Sequence, residues 1–294
     1  MRSRKIDQYL KDVAEGRVSP AEAAEKLRMQ PYDDMDFAKL DTNRELRTGR
    51  GEVVFALGKT PEQVASIMRR MSENETGNIS PILATKAGQE HFEAVQSAFD
   101  DGFLTDNLLT LEYNETAKMI IIKSDKSVEQ GRDRQGDESA EQGRDREGAA
   151  RAGGNPGGRG LIAVVSGGTA DVPIAEEAAI TAELYGHDVK RVYDVGISGL
   201  HRLLDKIEDI RKADVVIAVA GMEGALASVI AGLVSSPVVA VPTSVGYGIT
   251  LSGLTPLFAM LGGCSLGVGV MNIDNGFGAA HYASMMLGMK DRGQ

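Results

Sequence analysis

The sequence predicts an α/β protein, with a doubly wound parallel sheet in the C-terminal half and a smaller α+β domain before it. Three observations predict this. From residue 161 onward, five short runs rich in Val, Ile and Ala alternate with helical segments. Short apolar runs separated by helices call for a buried parallel sheet with helices on both faces. The length of 294 residues suggests two domains rather than one.

Residues 1–123 form the expected N-terminal unit. "RKIDQYLKDVAEG" carries apolar residues at helical spacing and stops at Gly16. "SPAEAAEKL" starts a second helix: Ser19 caps, Pro20 takes the first turn and Glu22 completes a capping box. Beyond the charged stretch "LDTNRELRTGRG", "EVVFAL" reads as a strand, and "GKTPEQVASIMRRM" as a helix with Thr60 as cap and Gln63 closing its box. "SPILATKAG" and "GQEHFEAVQSAF" give another strand and helix. "NLLTLEYNETAKMIIIK" reads as two strands joined by a turn near Asn114.

Residues 124–160 have almost no apolar residues, repeat EQGRDR at 129–134 and 141–146, and nearly balance acids against bases. Such a segment cannot bury enough surface to offset the entropy of ordering, so a flexible linker is expected. Residues 161–294 resume with the strands "LIAVVSG", "VKRVYDV", "DVVIAVAG", "PVVAVPT" and "LGVGVMNI". Helices are expected to begin near Val172, Ser198, Met222, Leu251 and Gly276. Right-handed crossovers then gather the strand-to-helix turns on one edge, where ligands sit in open α/β sheets. The expected architecture is a flavodoxin-like three-layer sandwich.

Composition narrows the function. With 42% hydrophobic and 25% charged residues the chain is an ordinary globular protein. A formal net charge of −10 without a basic patch argues against nucleic-acid binding. A single cysteine excludes an intramolecular disulfide and a Cys-rich zinc site. The start "MRSRKIDQYLKDVAEG" lacks an apolar signal region and no apolar run reaches spanning length, so a cytoplasmic location away from membranes is expected.

The turns on the ligand edge carry the candidate chemistry. The first, "SGGTADVPIAEEA", holds Ser166, Gly167, Gly168, Thr169 and Asp171. Its Gly-Gly pair lets a ligand approach the backbone and the helix start offers free N–H groups, although a plain turn capped by Thr169 or Asp171 explains it equally well. The second, "DVGISGLHRLL", places His201 early in a helix, as a substrate contact or a structural residue. The third, "AGMEGALASVIAG", puts Glu223 at a helix start, where it either favours the dipole or acts as an acid–base group tuned by burial. The fourth, "VPTSVGYGITLSG", supplies Thr243, Ser244 and a glycine run suited to a closing loop.

The fifth stretch, "LGGCSLGVGVMNIDNGFG", contains the lone Cys264 and the acidic turn with Asn272 and Asp274. A single cysteine usually behaves as a small buried hydrophobe. Here Gly262 and Gly263 precede it and Ser265 follows, so it lies at a turn, read as the mouth of the ligand edge. A turn leaves a thiol accessible, and backbone dipoles favour its thiolate.

Taken together, "VVSGGTADVPIAEEA", "DVGISGLHRLL", "VAGMEGALASVIAGL", "PVVAVPTSVGYG" and "CSLGVGVMNIDNGFGAAHYA" resemble the pyridinium-3,5-biscarboxylic acid mononucleotide synthase family. That family starts assembly of a nickel-pincer nucleotide cofactor. "FAKLDTNRELRTGRGEVVFALGKTPEQ" is similar to its N-terminal region, and only 124–160 falls outside the likeness. The C-terminal half more distantly resembles the purine-pathway aminoimidazole ribonucleotide carboxylase/mutase.

The resemblance implies that the substrate is nicotinic acid adenine dinucleotide, carboxylated at C5 of its pyridinium ring with CO2 or bicarbonate as co-substrate. Pyrophosphate cleavage then releases AMP. It implies no tightly bound cofactor, a Mg2+ requirement, and a homo-octamer built from dimers. A pyridinium cation is an electrophile and does not attack CO2. A thiolate adding at C4 converts it to an enamine with a nucleophilic C5, which assigns that role to Cys264. Glu223 and Asp171 are both candidates for the base that takes the C5 proton. Arg44, Arg47 and Lys59 are cations able to hold phosphates or a carboxylate, unless they form an ordinary solvated face, the reading favoured for Arg50. Two other classes stay open: a purine-type carboxylase/mutase, and a non-catalytic nucleotide-binding assembly protein.

Overall fold

A computed structural model of the chain describes residues 11–28, 32–41, 44, 48–74, 80–125 and 160–291. Arg47 and residues 126–159, which make up most of the expected linker, lie outside the described residues. The chain divides into two compact units.

In the N-terminal unit, helix α1 (Pro20–Arg28) starts as the local chemistry requires. The Glu22 amide donates to Ser19 Oγ at 3.1 Å and the Ser19 amide to Glu22 Oε2 at 3.0 Å. A small antiparallel ladder of β1 (Asp33–Asp34) and β2 (Lys39–Leu40) follows, which the apolar pattern had no means of announcing. Next come β3 (Val53–Phe55), α2 (Pro61–Asn74), β4 (Ile82–Thr85), α3 (Gln89–Ala98), a one-turn helix α4 (Phe103–Asp106), β5 (Leu109–Asn114) and β6 (Met119–Ser124). Their sheet runs β3-β4-β6-β5, with β3 parallel to β4 and β6 antiparallel to it. Thr60 and Gln63 form the expected capping box of α2. Asn114 stabilises the hairpin turn by accepting the Ala117 amide at 2.8 Å.

The C-terminal unit contains β7 (Leu161–Ser166), α5 (Val172–Leu184), β8 (Asp188–Val192), α6 (Leu200–Leu204), α7 (Ile207–Ile210) and β9 (Val215–Ala220). It continues with α8 (Ala225–Ala231), β10 (Val238–Pro242), α9 (Leu254–Leu261), β11 (Val268–Val270) and α10 (Gly276–Asp291). All strand pairs are parallel, in the order β8-β7-β9-β10-β11. Alternate residues feed opposite cores. Ile162, Val164, Ile217 and Val241 pack on α5 and α10 through Ala175, Ala178, Ala279 and Ala283. Ala163, Val165, Val216 and Ala240 pack on Leu203, Ile210, Leu226, Ile230 and Met260 of the other helices. The result is the expected flavodoxin-like three-layer sandwich, in which each buried Val or Ile contributes about 1.5–3 kcal/mol.

Two helix starts differ from expectation. The third turn needs Met222 (φ 53°) and Gly224 (φ 66°) in left-handed conformation, so α8 begins at Ala225 instead of near Met222. After β10 a single 3-10 turn at Leu251–Gly253, with Ser252 at φ 52°, precedes α9. Among the described residues no helix is long and apolar enough to cross a membrane.

Candidate active site

Strand order reverses between β7 and β9: the chain leaves β7 for β8 on one side and returns to β9 on the other. Such a switch point opens a crevice at the carboxyl ends of the strands. Three turns meet there. The Gly167 amide extends the ladder by donating to Val219 O at 2.9 Å, after which the backbone folds over Asp171. Asp171 is 7% exposed. Its Oδ2 accepts the Gly168 amide at 2.9 Å, and its Oδ1 accepts the hydroxyl of Thr243, at the end of β10, at 2.7 Å. The Gly221 amide, at the end of β9, also supports the carboxylate.

Burial raises the pKa of Asp171, and the charge of Asp274 adds to the rise. The hydrogen bonds from Thr243, Gly168 and Gly221 oppose it. A carboxyl held by several donors, yet disposed to keep a proton, suits general acid–base work. Thr243 is fully buried. The next residue, Ser244, is exposed and donates its amide to Asp274 Oδ1 at 2.8 Å. Ser166, also fully buried, uses its Oγ to accept the Asp194 amide at 3.2 Å. It therefore ties the first turn to the second.

Close packing demands glycine here. A Cβ on Gly221 would lie 2.2 Å from the Val245 carbonyl oxygen and 2.7 Å from Thr243 Oγ1. One on Gly196 would lie 2.7 Å from the Gly167 carbonyl oxygen. Asp194, Met222 and Asp274, in the turns after β8, β9 and β11, all have positive φ. Strained non-glycine residues gathered at one edge of a sheet are characteristic of functional sites.

Comparison with known proteins agrees with this geometry. Residues 32–125 match the LarB/PurE-like N-terminal domain, and residues 161–293 match AIR carboxylase. An uncharacterised protein of Methanocaldococcus jannaschii is 35% identical, with 92% of each chain covered. The chain belongs to the LarB family. The N5-carboxyaminoimidazole ribonucleotide mutases of M. jannaschii and Thermotoga maritima are 33% and 30% identical to this LarB-family chain. Those matches span 45% and 44% of it, and 81% and 75% of the mutases. The LarB-family protein is therefore a carboxylase-related enzyme.

The LarB-family fold unites some of the expected site residues and separates others. Ser166, Gly168, Asp171 and Thr243 are linked by hydrogen bonds, as are Ser244 and Asp274 next to Thr243, and Gly167 stands beside them on the β9 ladder. Thr169, His201 and Asn272 stand on the same edge with exposed side chains. Glu223 is on that edge too, exposed and one residue ahead of the Gly224 cap, so of its two readings tuning by burial does not apply.

Cys264 is corrected in position. It precedes β11, and in a parallel sheet the helix-to-strand loops lie on the edge opposite the strand-to-helix turns. The neighbouring Gly267 carbonyl accepts from Val238 at the start of β10, and Ser265 Oγ donates to Ser228 O in α8. The thiol is exposed at that opposite edge, so within one LarB-family chain it does not meet Asp171. Of the candidate residues in the fifth stretch, Asn272 and Asp274 follow the strand.

In the N-terminal unit, Arg44 is exposed. Lys59 is half-buried and donates to the Phe55 carbonyl at 2.7 Å. His91 supports that loop. Its Nδ1 accepts the Gly88 amide, which leaves Nε2 to carry the proton toward the Lys59 carbonyl at 3.1 Å. Reasoning from sequence missed Gly221 and Glu177. A glycine directly after a buried strand could have revealed the first; nothing in the Ala-rich helix marks the second.

Proposed function

We propose that this chain carboxylates the pyridinium ring of nicotinic acid adenine dinucleotide at C5, through a transient adduct with Cys264, and hydrolyses the pyrophosphate. The products are pyridinium-3,5-biscarboxylic acid mononucleotide and AMP. The observation that carries this reading is a buried acid–base carboxyl, Asp171, in the crevice of a carboxylase-related fold that also presents an exposed thiol. The thiolate adds at C4, and the ring becomes a dihydropyridine in which N1–C6=C5 is an enamine. C5 attacks CO2 and N1=C6 becomes an iminium. Asp171 then takes the C5 proton, and departure of the thiolate from C4 restores the aromatic ring. A thiolate both attacks and leaves well.

Because Cys264 and Asp171 stand on opposite edges of one sheet, the reaction requires two copies of the chain. Leu254, Phe258 and Leu261 line one exposed apolar face of α9, and Leu266 lies just beyond Cys264. Apolar faces of this kind commonly mark association surfaces. The proposed assembly is a homo-octamer built from dimers, in which Cys264 of one copy serves the crevice of another. Among the described residues no group of three or more His, Cys, Asp or Glu is placed to hold a metal ion. The proposed Mg2+ enters with the substrate's phosphates, its usual mode of binding.

Incubating the protein with the dinucleotide, bicarbonate and Mg2+, while following product mass and AMP, tests the reaction. Cys264→Ser should abolish ring carboxylation without unfolding the protein, since the thiol is exposed. Wild-type protein without a CO2 source should accumulate a thioether adduct on the peptide containing Cys264. Co-assembling Cys264→Ser with Asp171→Asn should restore roughly a quarter of the activity, from random pairing of the two chains. Normal carboxylation by the Ser variant would falsify the covalent step.

The second reading is an aminoimidazole ribonucleotide carboxylase/mutase, favoured by the mutases that align with the C-terminal unit. That substrate is already an enamine and needs no thiol. Turnover of it by Cys264→Ser would select this reading.

A further inference from the structure

Helix α5 is mostly Ala on its buried face, yet it also buries a carboxyl group. Glu177 is 1% exposed, and its Oε2 accepts the Gly276 amide at 3.1 Å, across 99 residues of sequence. Gly276 opens α10, whose first amides have no partner within the helix. The local cap is already present, because Asn275 Oδ1 accepts the Gly278 amide at 2.7 Å. Glu177 is therefore an additional, long-range tie. It acts where the two helices meet backbone to backbone: a Cβ on Gly276 would lie 2.2 Å from the Ile174 carbonyl oxygen and 3.0 Å from Glu177 Oε2.

The tie closes a circuit around the crevice. α5 starts immediately after Asp171, and Gly276 lies two residues beyond Asp274. Asp274 holds the Ser244 amide, and the residue before Ser244, Thr243, donates to Asp171. Every other link in the circuit is covalent or belongs to the crevice itself. The Glu177–Gly276 bond sets the spacing between α5 and the turn after β11.

We infer that Glu177 is a positioning residue. Its carboxylate holds the turn at 272–275 at a fixed distance from α5, and so keeps the Thr243 hydroxyl on the Asp171 carboxyl. The inference rests on the reading of Asp171 as the reacting acid–base group.

The test compares Glu177→Ala, Glu177→Gln and a control, Ser284→Ala. The control removes another buried bond to α10, His187 to Ser284 at 2.7 Å, farther along the helix from the turn. Steady-state kinetics on the dinucleotide and deuterium exchange of residues 242–247 are the readouts. Glu177→Ala should lower kcat about tenfold to a hundredfold with KM within about twofold, as expected of a small misplacement. Glu177→Gln keeps an acceptor oxygen and should stay within about threefold of wild type. Ser284→Ala should lower Tm while leaving kcat unchanged. Exchange at 242–247 should rise in Glu177→Ala alone.

Should the Ala variant fail to fold, Glu177→Leu fills the space without the acceptor and takes its place. A Glu177→Ala protein that loses Tm but keeps kcat, as the control does, overturns the inference. So does a Gln variant as impaired as the Ala one. If wild type does not turn the dinucleotide over, the proposed reaction fails by itself. Glu177 is then judged on exchange alone, and unchanged exchange at 242–247 in the Ala variant overturns it.

Discussion

Replacing Thr243 by Val removes one hydroxyl from the crevice and almost nothing else. Thr243 is fully buried, and its Oγ1 donates to Asp171 Oδ1 at 2.7 Å. A hydrogen bond to a carboxylate contributes about 1.5–3 kcal/mol, whereas one to a neutral carboxyl contributes about 1 kcal/mol. The cost of Thr243→Val should therefore depend on pH, through the ionisation of Asp171. Burial raises the folded-state pKa of Asp171 above its unfolded value. The folded protein consequently binds that proton more tightly than the unfolded chain does. Its stabilising contribution is complete below the unfolded pKa and is lost as pH rises through the folded value.

Losing the Thr243 bond removes support from the ionised form, so the loss deepens on the alkaline side. The expected destabilisation grows from about 1 kcal/mol where Asp171 is protonated to about 1.5–3 kcal/mol where it is ionised. Urea denaturation at a series of pH values measures it, provided that the slope with denaturant stays constant. Thr243→Ser, which keeps the hydroxyl, should show a loss that does not change with pH. Equal losses for Thr243→Val at both ends of the range would refute the coupling between the two residues.

Three further outcomes are expected. Gly221→Ala drives a methyl into the Val245 carbonyl and Thr243 Oγ1, and should cost about 1–3 kcal/mol in chemical denaturation while impairing turnover. Gly276→Ala pushes against the Ile174 carbonyl at 2.2 Å and should separate α5 from α10, with a loss of similar size and faster exchange of the 272–278 amides. Thr60→Ala removes the cap of α2 in the N-terminal unit and should cost about 1 kcal/mol there, leaving exchange in β7–β11 unaltered.

Much of this architecture was legible because it is local. The capping boxes of Ser19 with Glu22 and Thr60 with Gln63 are read from residues three apart. The central strands β7, β9 and β10 announce themselves as apolar runs, because a strand buried on both faces has nowhere to put a polar side chain. The full strand order was not legible, since the similar apolar runs of β7, β9 and β10 do not encode which neighbour each pairs with. The turn after β9 was misjudged for a related reason: helix-forming residues follow it at once, but two left-handed residues are needed before the backbone turns into α8.

By itself, the sequence determined the parallel sheet, the glycine-rich turns and the residue types on the ligand edge. Tertiary structure decided which of those residues act together. Asp171 and Thr243 are 72 residues apart, and Glu177 and Gly276 are 99 apart, and only the sheet order brings each pair into contact. It also decided the side on which Cys264 stands. Strand polarity sends everything before β11 to one edge and everything after it to the other. Cys264 and Asp274, ten residues apart in sequence, thereby stand before and after β11. A hydrogen bond or a separation between edges depends on distance in space, and the chain order of a doubly wound sheet does not preserve that distance.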